Sequence, residues 1–289
     1  MVSEMNRWCS LALFVFSVGL LAPVFGCVEL RNTPASTFAD SGAGDSAALD
    51  AIGTPNCPLN MVPIPAATFS MGSQIGETNE RPVHQVELTG FCIDPIEVTV
   101  SAYSMCPAES GCTAPSTGMR YNWGISGREN HPINGVDWNQ AMAYCQWRGG
   151  GTLPTEAQWE FAAKGLSGRI YPWGIDEPLD RVCWSGGAIV RTSTCFWRDV
   201  SLLGTSPFGL SDMGGNVWEW VFDGMGLYPT ETAPPIRNPT GPVGVTDHVL
   251  RGGSWGSMSS NFLRTTTRAW FPAEHRSEYL GFRCAHAPQ

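Results

Sequence analysis

The sequence has few charged residues and almost no lysine. Only 15% of its 289 residues are charged, whereas globular chains average about 25%. A coiled coil or a long solvated helical array needs charge on its outer face, so the composition excludes both. Lys164 is the only lysine, and no block of like charge occurs along the chain.

The chain also lacks the basic balance of a nucleic-acid-binding protein. Its formal net charge is −9, and phosphate binding needs a basic face, so we expect no nucleic-acid partner. The 12 Trp, 13 Phe and 6 Tyr supply more apolar surface than a disordered segment leaves in water. The 33 Gly and 22 Pro predict many turns and short elements.

The N-terminal residues predict an exported protein. Residues 1–26 combine Arg7 with an apolar run over residues 8–25 and the small residue Gly26, a pattern typical of a signal peptide. The alternative is a transmembrane helix. It is disfavoured because the run is close to the lower limit of about 17 residues for spanning a bilayer and contains Pro23.

A candidate lipid anchor and a tether follow. The string VFGC at residues 24–27 resembles a bacterial lipobox, which makes Cys27 a candidate for lipidation and for the only contact with a membrane. Because Phe25 is unusual in that box, ordinary cleavage with release into the periplasm or medium is the alternative. Residues 27–56 are rich in Ala, Ser, Asp, Gly and Thr and predict a flexible acidic tether. We expect the protein in the periplasm, outer membrane or cell surface.

The remaining cysteines predict disulfide bonds. Eight are left when the signal peptide and the lipid candidate are set aside, and an even set in an exported chain favours four disulfides. They are Cys57, Cys92, Cys106, Cys112, Cys145, Cys183, Cys195 and Cys284. Metal binding is the alternative, but no Cys-x2-Cys pair or Cys/His cluster has zinc spacing. Spacing favours local pairs of Cys106 with Cys112 and of Cys183 with Cys195, and leaves the other connectivities open.

Two helices are marked by their capping residues. Asp137 is a good N-cap for a helix that ends at the glycines of residues 149–151, because its side chain can accept from free backbone N–H groups. Thr155 and Gln158 predict a capping box for a second helix that ends before Gly165.

Strands are marked by shorter patterns. Residues 61–72 mix β-formers with turn residues and predict a short strand pair. Residues 84–92 alternate apolar and polar positions, as half-buried strands do. After residue 165 we expect short strands and loops.

Five strings then occur in order along the chain. They are GTLPTEAQWEFAAKG at 151–165, YPWG at 171–174, FGLSDMGGNVWEW at 208–220, RGGSW at 251–255 and LGFRCA at 280–285. They resemble the signature strings of the formylglycine-generating enzyme family, also called the sulfatase-modifying factor domain. The resemblance implies one α+β domain over residues 57–289, with little regular secondary structure and a relation to C-type lectin-like folds. It also implies a disulfide between Cys145 and Cys284.

The resemblance places the family's copper site at residues that cannot bind copper. Active members oxidise a cysteine of sulfatases to formylglycine with O2 and a copper ion held by two cysteines. The corresponding positions are Ser257 and Phe262, and copper(I) needs soft thiolate ligands. We therefore expect no copper. The alternative is that another cysteine pair substitutes.

A calcium site transfers better. Family members bind calcium in the loop before the WEW string through a side-chain oxygen, two carbonyls and a Glu. The corresponding residues are Asp212, Gly215, Val217 and Glu219. Such hard oxygen donors suit calcium, so we expect calcium as a cofactor. The alternative is a tight turn with a capping Asp and a surface Glu.

The C-terminal block lines the substrate groove in active relatives. The implied ligand contacts are Ser254, Trp255, Arg264, Trp270 and Arg276. Guanidinium groups among aromatic rings suit carboxylate, sulfate or peptide-backbone ligands. The alternative is that such residues lock an irregular core, and this is our interpretation of Arg268 and Arg283.

These observations give two functional hypotheses. The first is an exported, surface or periplasmic binding module that has the family scaffold without copper oxidase chemistry and takes a peptide, protein or glycan ligand. The alternative is a sulfatase-modifying oxidoreductase that converts a substrate cysteine to formylglycine. Activity of the chain as an enzyme stays open between them.

Overall fold

The structure is a computed structural model that describes residues 54–187, 193–195, 204–230 and 234–289. The predicted signal peptide, Cys27 and nearly all of the predicted tether lie outside the described residues. Within the described part of the chain, no helix is long and apolar enough to cross a membrane.

In the described part of the chain, ten short strands form three small sheets. The strands are β1 (Val62–Ile64), β2 (Ala67–Met71), β3 (His84–Leu88), β4 (Phe91–Ile93), β5 (Trp218–Gly224), β6 (Ile236–Arg237), β7 (Asp247–Arg251), β8 (Ala269–Pro272), β9 (Leu280–Gly281) and β10 (Ala285–His286). The strand orders are β1-β4-β10, β2-β3-β6 and β8-β7-β5-β9. Pairing is antiparallel except for β3 with β6 and β5 with β9.

Between the first strands and β5, the described residues form three α-helices. They are α1 (Val100–Ser104), α2 (Trp138–Trp147) and α3 (Glu156–Lys164). The predicted caps are confirmed: the side chains of Asp137 and Thr155 both accept from the backbone N–H three residues on, within capping boxes. Helix α3 ends at Gly165 as predicted. Three 3-10 turns add Thr78–Glu80, Ala108–Ser110 and Ser260–Leu263.

The strand predictions for residues 61–92 need two corrections. The expected pair within residues 61–72 is wrong, because β1 pairs with β4 while β2 pairs with β3 in another sheet. The run over 84–92 is two strands, β3 and β4, separated by Thr89 and Gly90. The burial pattern alternates within β3, whereas all three residues of β4 are buried. Because β4 has only three residues, the period-2 pattern alone does not show where β3 ends.

Helix α3 lies in the middle of one hydrophobic core. It packs against β2, β3, β5 and β7, and the rings of Phe69 and Phe161 lie 5.1 Å apart between centroids. A second core surrounds α2, where Tyr144 and Phe282 meet edge to face at 5.5 Å. The expected α+β domain with little regular secondary structure is confirmed.

Buried ion pairs connect α3 to the C-terminal strands. Glu160 pairs with both Lys164 and Arg251, and Glu156 pairs with Arg268 at 2.6 Å. Burial opposes ionisation of Glu160, but Lys164 and Arg251 outweigh it and lower the pKa of this carboxyl to about 2. The interpretation of Arg268 as a structural residue is confirmed.

The eight cysteines of the described residues form four disulfides, as the cysteine count predicts. They join Cys57 to Cys92, Cys106 to Cys112, Cys145 to Cys284 and Cys183 to Cys195. The two local pairs follow the sequence spacing, and the pair of Cys145 with Cys284 follows the family resemblance. The backbone N–H of Gln289 also donates to the carbonyl of Asn56 at 2.9 Å, so the end of the chain lies beside the start of the described region.

Candidate functional site

An apolar groove of about 430 Å³ opens where β5 and β9 begin. These strands run parallel, with Trp218 opposite Leu280, and the turn after β7 closes the other side. None of the described residues that line the groove is charged. Its lining consists of Trp218, Ser254, Gly256, Ser257, Met258, Phe262, Phe271, Ser277, Tyr279 and Leu280.

The shape of the groove depends on a glycine. A Cβ atom on Gly256 would lie 2.4 Å from the ring of Tyr279, so only glycine lets this ring pack against the turn. The same ring lies 4.7 Å from that of Trp255. Arg120, which the sequence did not single out, contacts this pair from outside: its Nη1 is 3.5 Å from the Tyr279 hydroxyl.

Only one of the five predicted groove residues lines the groove. Ser254 does so, whereas Trp255 is buried beside it and donates from Nε1 to the carbonyl of Glu278. Trp270 is 43% exposed on β8 but outside the lining. Arg264 and Arg276 are held away from the groove lining by ion pairs with acidic side chains.

Carboxylates fix both of these arginines. Arg264 donates two hydrogen bonds to Glu80, at 2.6 and 2.9 Å, and the Glu80 side chain is fully buried. Arg276 donates to Asp137, the N-cap of α2, at 2.7 and 2.9 Å. The guanidinium groups of Arg264 and Arg276, which the sequence suggested as ligand contacts, are therefore bound by carboxylates of the protein itself.

The two positions that correspond to the copper cysteines both line the groove. Ser257 is buried, and its hydroxyl accepts from the backbone N–H of Ser254 at 3.0 Å. Phe262 is 45% exposed and contacts Trp218 edge to face. All eight cysteines of the described residues are in disulfides, so none of these residues supplies the thiolate that copper(I) needs. The residues present do not fit copper.

The predicted calcium loop is tightly wound. Asp212, Gly215 and Asn216 all have positive φ angles, of 57°, 96° and 55°, and Gly215 has no room for a side chain because a Cβ would lie 2.6 Å from the carbonyl oxygen of Cys183. Val217 is fully buried. The structure thus brings the four predicted residues into one buried turn and the strand that follows it.

Glu219 in this region forms a buried ion pair. Arg283 donates to its two oxygens at 2.7 Å each, and Trp159 Nε1 donates to Oε2 at 2.8 Å. All three side chains are buried. The interpretation of Arg283 as a structural residue is therefore confirmed, and Glu219 takes part in the same buried network.

A carboxylate that the sequence did not suggest lies near this loop. Glu97, just after β4, accepts from Asn216 Nδ2 at 3.1 Å through Oε2. Burial raises its pKa well above the usual range, and the charges of Asp212 and Glu219 add to this effect. Burial likewise raises the pKa of Asp212 to about 7, against the influence of Arg283.

Two carboxylate oxygens near this loop bear on whether the residues present suit a calcium ion. Oε1 of Glu97 and Oδ2 of Asp212 are buried without a hydrogen-bond partner, and hard oxygen donors of this kind suit calcium. Among the described residues, no group of three or more His, Cys, Asp or Glu side chains is placed to hold a metal ion. The fit therefore depends on two carboxylates together with backbone carbonyls.

Sequence comparisons identify the family of the chain. The family model of the sulfatase-modifying factor enzyme 1-like domain matches residues 53–288. The chain belongs to this family. It is 30% identical to the formylglycine-generating enzyme of Bos taurus in an alignment of length 292, with 82% of this chain and 77% of that protein covered.

Two further similarities concern inactive members and the fold. The inactive C-alpha-formylglycine-generating enzyme 2 of Bos taurus is 29% identical, with 78% of this chain and 88% of that protein covered. The structure of PvdO from Pseudomonas aeruginosa superposes with a TM-score of 0.65 at 22% identity, over 81% of this chain and 98% of that chain. This similarity shows the fold, a single domain of the formylglycine-generating enzyme type.

Proposed function

We propose that this family member is a binding module without copper oxidase chemistry. The proposal rests on two side chains of the groove. Ser257 and Phe262 line it at the positions that correspond to the family's copper-binding cysteines. The described cysteines are all in disulfides. A family relative is itself named an inactive formylglycine-generating enzyme, which supports the existence of such members.

The groove suits an uncharged apolar group of a ligand. Its walls carry four aromatic rings and the exposed Met258, with serine hydroxyls beside them. Burying apolar surface contributes about 25 cal/mol per Å², whereas a charged group would lose its hydration here without a counter-ion. We therefore propose a peptide, protein or glycan ligand that places an apolar part in the groove.

A pair of exposed aromatic residues gives a matched binding experiment. Immobilised peptide and glycan panels are screened with the purified protein, and each hit is titrated against Phe262→Ala, in the groove, and Trp270→Ala, outside it. These two rings are 45% and 43% exposed. We expect at least about tenfold weaker binding for Phe262→Ala and no change for Trp270→Ala. Absence of hits, or equal loss in both variants, contradicts the proposal.

The alternative function is that of a sulfatase-modifying oxidoreductase, which the 30% identity to formylglycine-generating enzyme favours. It predicts copper in the purified protein and conversion of a Cys-x-Pro-x-Arg peptide to the aldehyde in the presence of O2. Retention of the thiol and lack of copper binding support the binding module. Formation of the aldehyde overturns it.

Export and calcium are further parts of the proposal. Residues 1–26 are proposed to direct export and Cys27 to carry a lipid, which predicts that Cys27→Ala moves the protein from the membrane fraction to the soluble fraction. Calcium is proposed to stabilise the loop of residues 212–217, where a buried carboxylate oxygen lacks a partner.

A further inference from the structure

The serine hydroxyls of the groove present hydrogen-bond donors to its interior. The side-chain oxygens of Ser254, Ser257 and Ser277 accept from the backbone N–H groups of residues 256, 254 and 279, at 3.3, 3.0 and 3.3 Å. Each hydroxyl also has one proton to donate. Among the described residues, none of these three protons has an acceptor. Ser254 and Ser257 are only 3% and 6% exposed, so an occupant of the groove is the natural acceptor.

Two larger side chains of the lining add further donors. The indole N–H of Trp218 makes no hydrogen bond within the described part of the chain, and the Tyr279 hydroxyl keeps its own proton while it accepts from Arg120. No Asp, Glu, Asn, Gln or His is among the described lining residues. A ligand that brings oxygen acceptors therefore gains more hydrogen bonds here than one that brings N–H groups.

A loosely held cation lies at the rim of the groove. Nη1 of Arg120 is 3.5 Å from the Tyr279 hydroxyl, and its guanidinium carbon is 5.8 Å from the ring centroid of Trp255. The Arg120 side chain is 55% exposed, and its ion pair with Glu278 spans 3.7 Å. This distance exceeds the length of a hydrogen bond, and exposed ion pairs of this kind contribute little. The guanidinium can therefore turn to a ligand at small cost.

Two other arginines show how different Arg120 is. Arg264 and Arg276 donate to carboxylates of the protein at 2.6 and 2.7 Å, and their side chains are 12% and 33% exposed. A guanidinium binds a carboxylate best through two parallel N–H groups. Arg264 and Arg276 already use two nitrogens in this way, whereas Arg120 does not.

The ring of Tyr279 connects the donors of the groove to this cation. A Cβ atom on Gly256, which lies between Ser254 and Ser257, would be 2.4 Å from Cε1 of Tyr279 and 3.2 Å from Cζ, the carbon that carries the hydroxyl. The serine turn therefore lies against one edge of the ring, and Arg120 contacts its hydroxyl. One small ligand can reach both.

We propose that the ligand of this groove carries a carboxylate, which Arg120 and the Tyr279 hydroxyl bind at the rim while an adjoining apolar group fills the groove. This inference rests on the proposed binding function and adds the charge of the ligand. The carboxylate stays at the rim, in contact with water, because the lining supplies no counter-ion. Its source is the C-terminus of a peptide or an acidic side chain next to an apolar one.

The experiment compares a carboxylate with its neutral amide. N-acetylphenylalanine, N-acetylphenylalaninamide and N-acetyl-aspartyl-phenylalaninamide are titrated by NMR into the full-length chain, as wild type, Arg120→Gln and Arg237→Gln. Arg237 is the matched control, because its side chain is 67% exposed and its pair with Glu87 spans 3.6 Å. We expect wild type and Arg237→Gln to bind the free acid about tenfold more tightly than the amide, and Arg120→Gln to bind the two equally.

The third probe identifies the source of the carboxylate. Tight binding of N-acetyl-aspartyl-phenylalaninamide supports an acidic side chain, and tight binding of the free acid alone supports a peptide C-terminus. The variant Phe262→Ala should weaken acid and amide by the same factor, since it removes a ring of the groove and leaves Arg120 in place.

The outcomes separate this inference from the binding function. If peptides or glycans from the panels bind at the groove but wild type binds acid and amide equally, the ligand needs no carboxylate, and the binding function stands. An equal loss of preference in Arg120→Gln and Arg237→Gln also overturns the role of Arg120. If neither the three probes nor the panels bind, both proposals fail. Unchanged melting temperatures show that the two arginine variants fold.

Discussion

Arg283 and Glu219 form a buried pair with two hydrogen bonds of 2.7 Å, from Nε and Nη2 of the guanidinium to the two carboxylate oxygens. The pair joins two of the family strings, at residues 208–220 and 280–285. It also lies on the neighbouring parallel strands β5 and β9 or just after them. This contact therefore holds together the two strand starts from which the groove opens.

Removing one partner of this pair is expected to be severe. Glu219→Gln leaves the Arg283 charge buried without its counter-ion, and breaking such pairs costs about 3–5 kcal/mol of unfolding free energy. Urea unfolding in EDTA measures the loss. Arg237→Gln is the control, since its pair with Glu87 is exposed and worth about 0–1 kcal/mol. Equal stability of both variants contradicts the assignment.

Asp223 is expected to make stability depend on pH. Burial, with the nearby charge of Glu156, raises its pKa to about 8 from an ordinary 3.8. The folded state therefore holds a proton that the unfolded state has lost above pH 4. Stability falls as pH rises from about 4 to 8, by at most about 1.4 kcal/mol per pH unit from this residue.

The neutral variant isolates this contribution. Asp223→Asn keeps an oxygen that can accept from the N–H of Glu156, as Asp223 Oδ2 does at 2.8 Å, and does not titrate. Its unfolding free energy should fall less than that of wild type between pH 5 and pH 8, in denaturant titrations at each pH. Parallel pH curves for the two proteins would show that Asp223 ionises normally.

Two thiols at the groove should create copper binding. The double variant Ser257→Cys with Phe262→Cys places soft ligands at two positions that line the same groove, and thiolates favour copper(I). We expect about one copper(I) per chain in competition with a chelator. Ser257→Cys alone is the control and should bind far more weakly. Failure of the double variant means that the two positions do not converge.

The disulfides should contribute unequally to stability. Cys145 and Cys284 are 139 residues apart, whereas Cys106 and Cys112 are 6 apart. The loop-entropy model gives about 5 kcal/mol for the first and about 2 kcal/mol for the second. Replacing each pair with alanine and measuring denaturant midpoints tests this order. A larger loss from the short loop would show that contacts, not chain entropy, dominate.

Local signals in the sequence predict the parts of the fold that are fixed by neighbours in the chain. The caps Asp137 and Thr155 act on N–H groups three residues away, so a short window contains all the information. Helix α1 is not predicted although Thr99 caps it in the same way, because five residues are too few to show helical periodicity.

The candidate site was predicted in part because its chemistry joins distant segments. The family strings place Ser254 at the ligand groove and Ser257 and Phe262 at the copper positions, and all three line the groove of the structure. No spacing relates Arg264 to Glu80 or Glu97 to Asn216, which are separated by 184 and 119 residues. Such partners are brought together only by the fold. The sequence therefore does not show that Arg264 is bound by Glu80.

The bond between Gln289 and Asn56 has a practical consequence for engineering. Because these residues touch, a short linker can join them at low entropic cost, and new ends can be opened at an exposed turn such as Gly124 to Gly127, where added side chains meet nothing. The domain should therefore tolerate circular permutation. It should likewise tolerate insertion into a surface loop of a carrier protein, since a carrier has to bridge only the short gap between neighbouring ends.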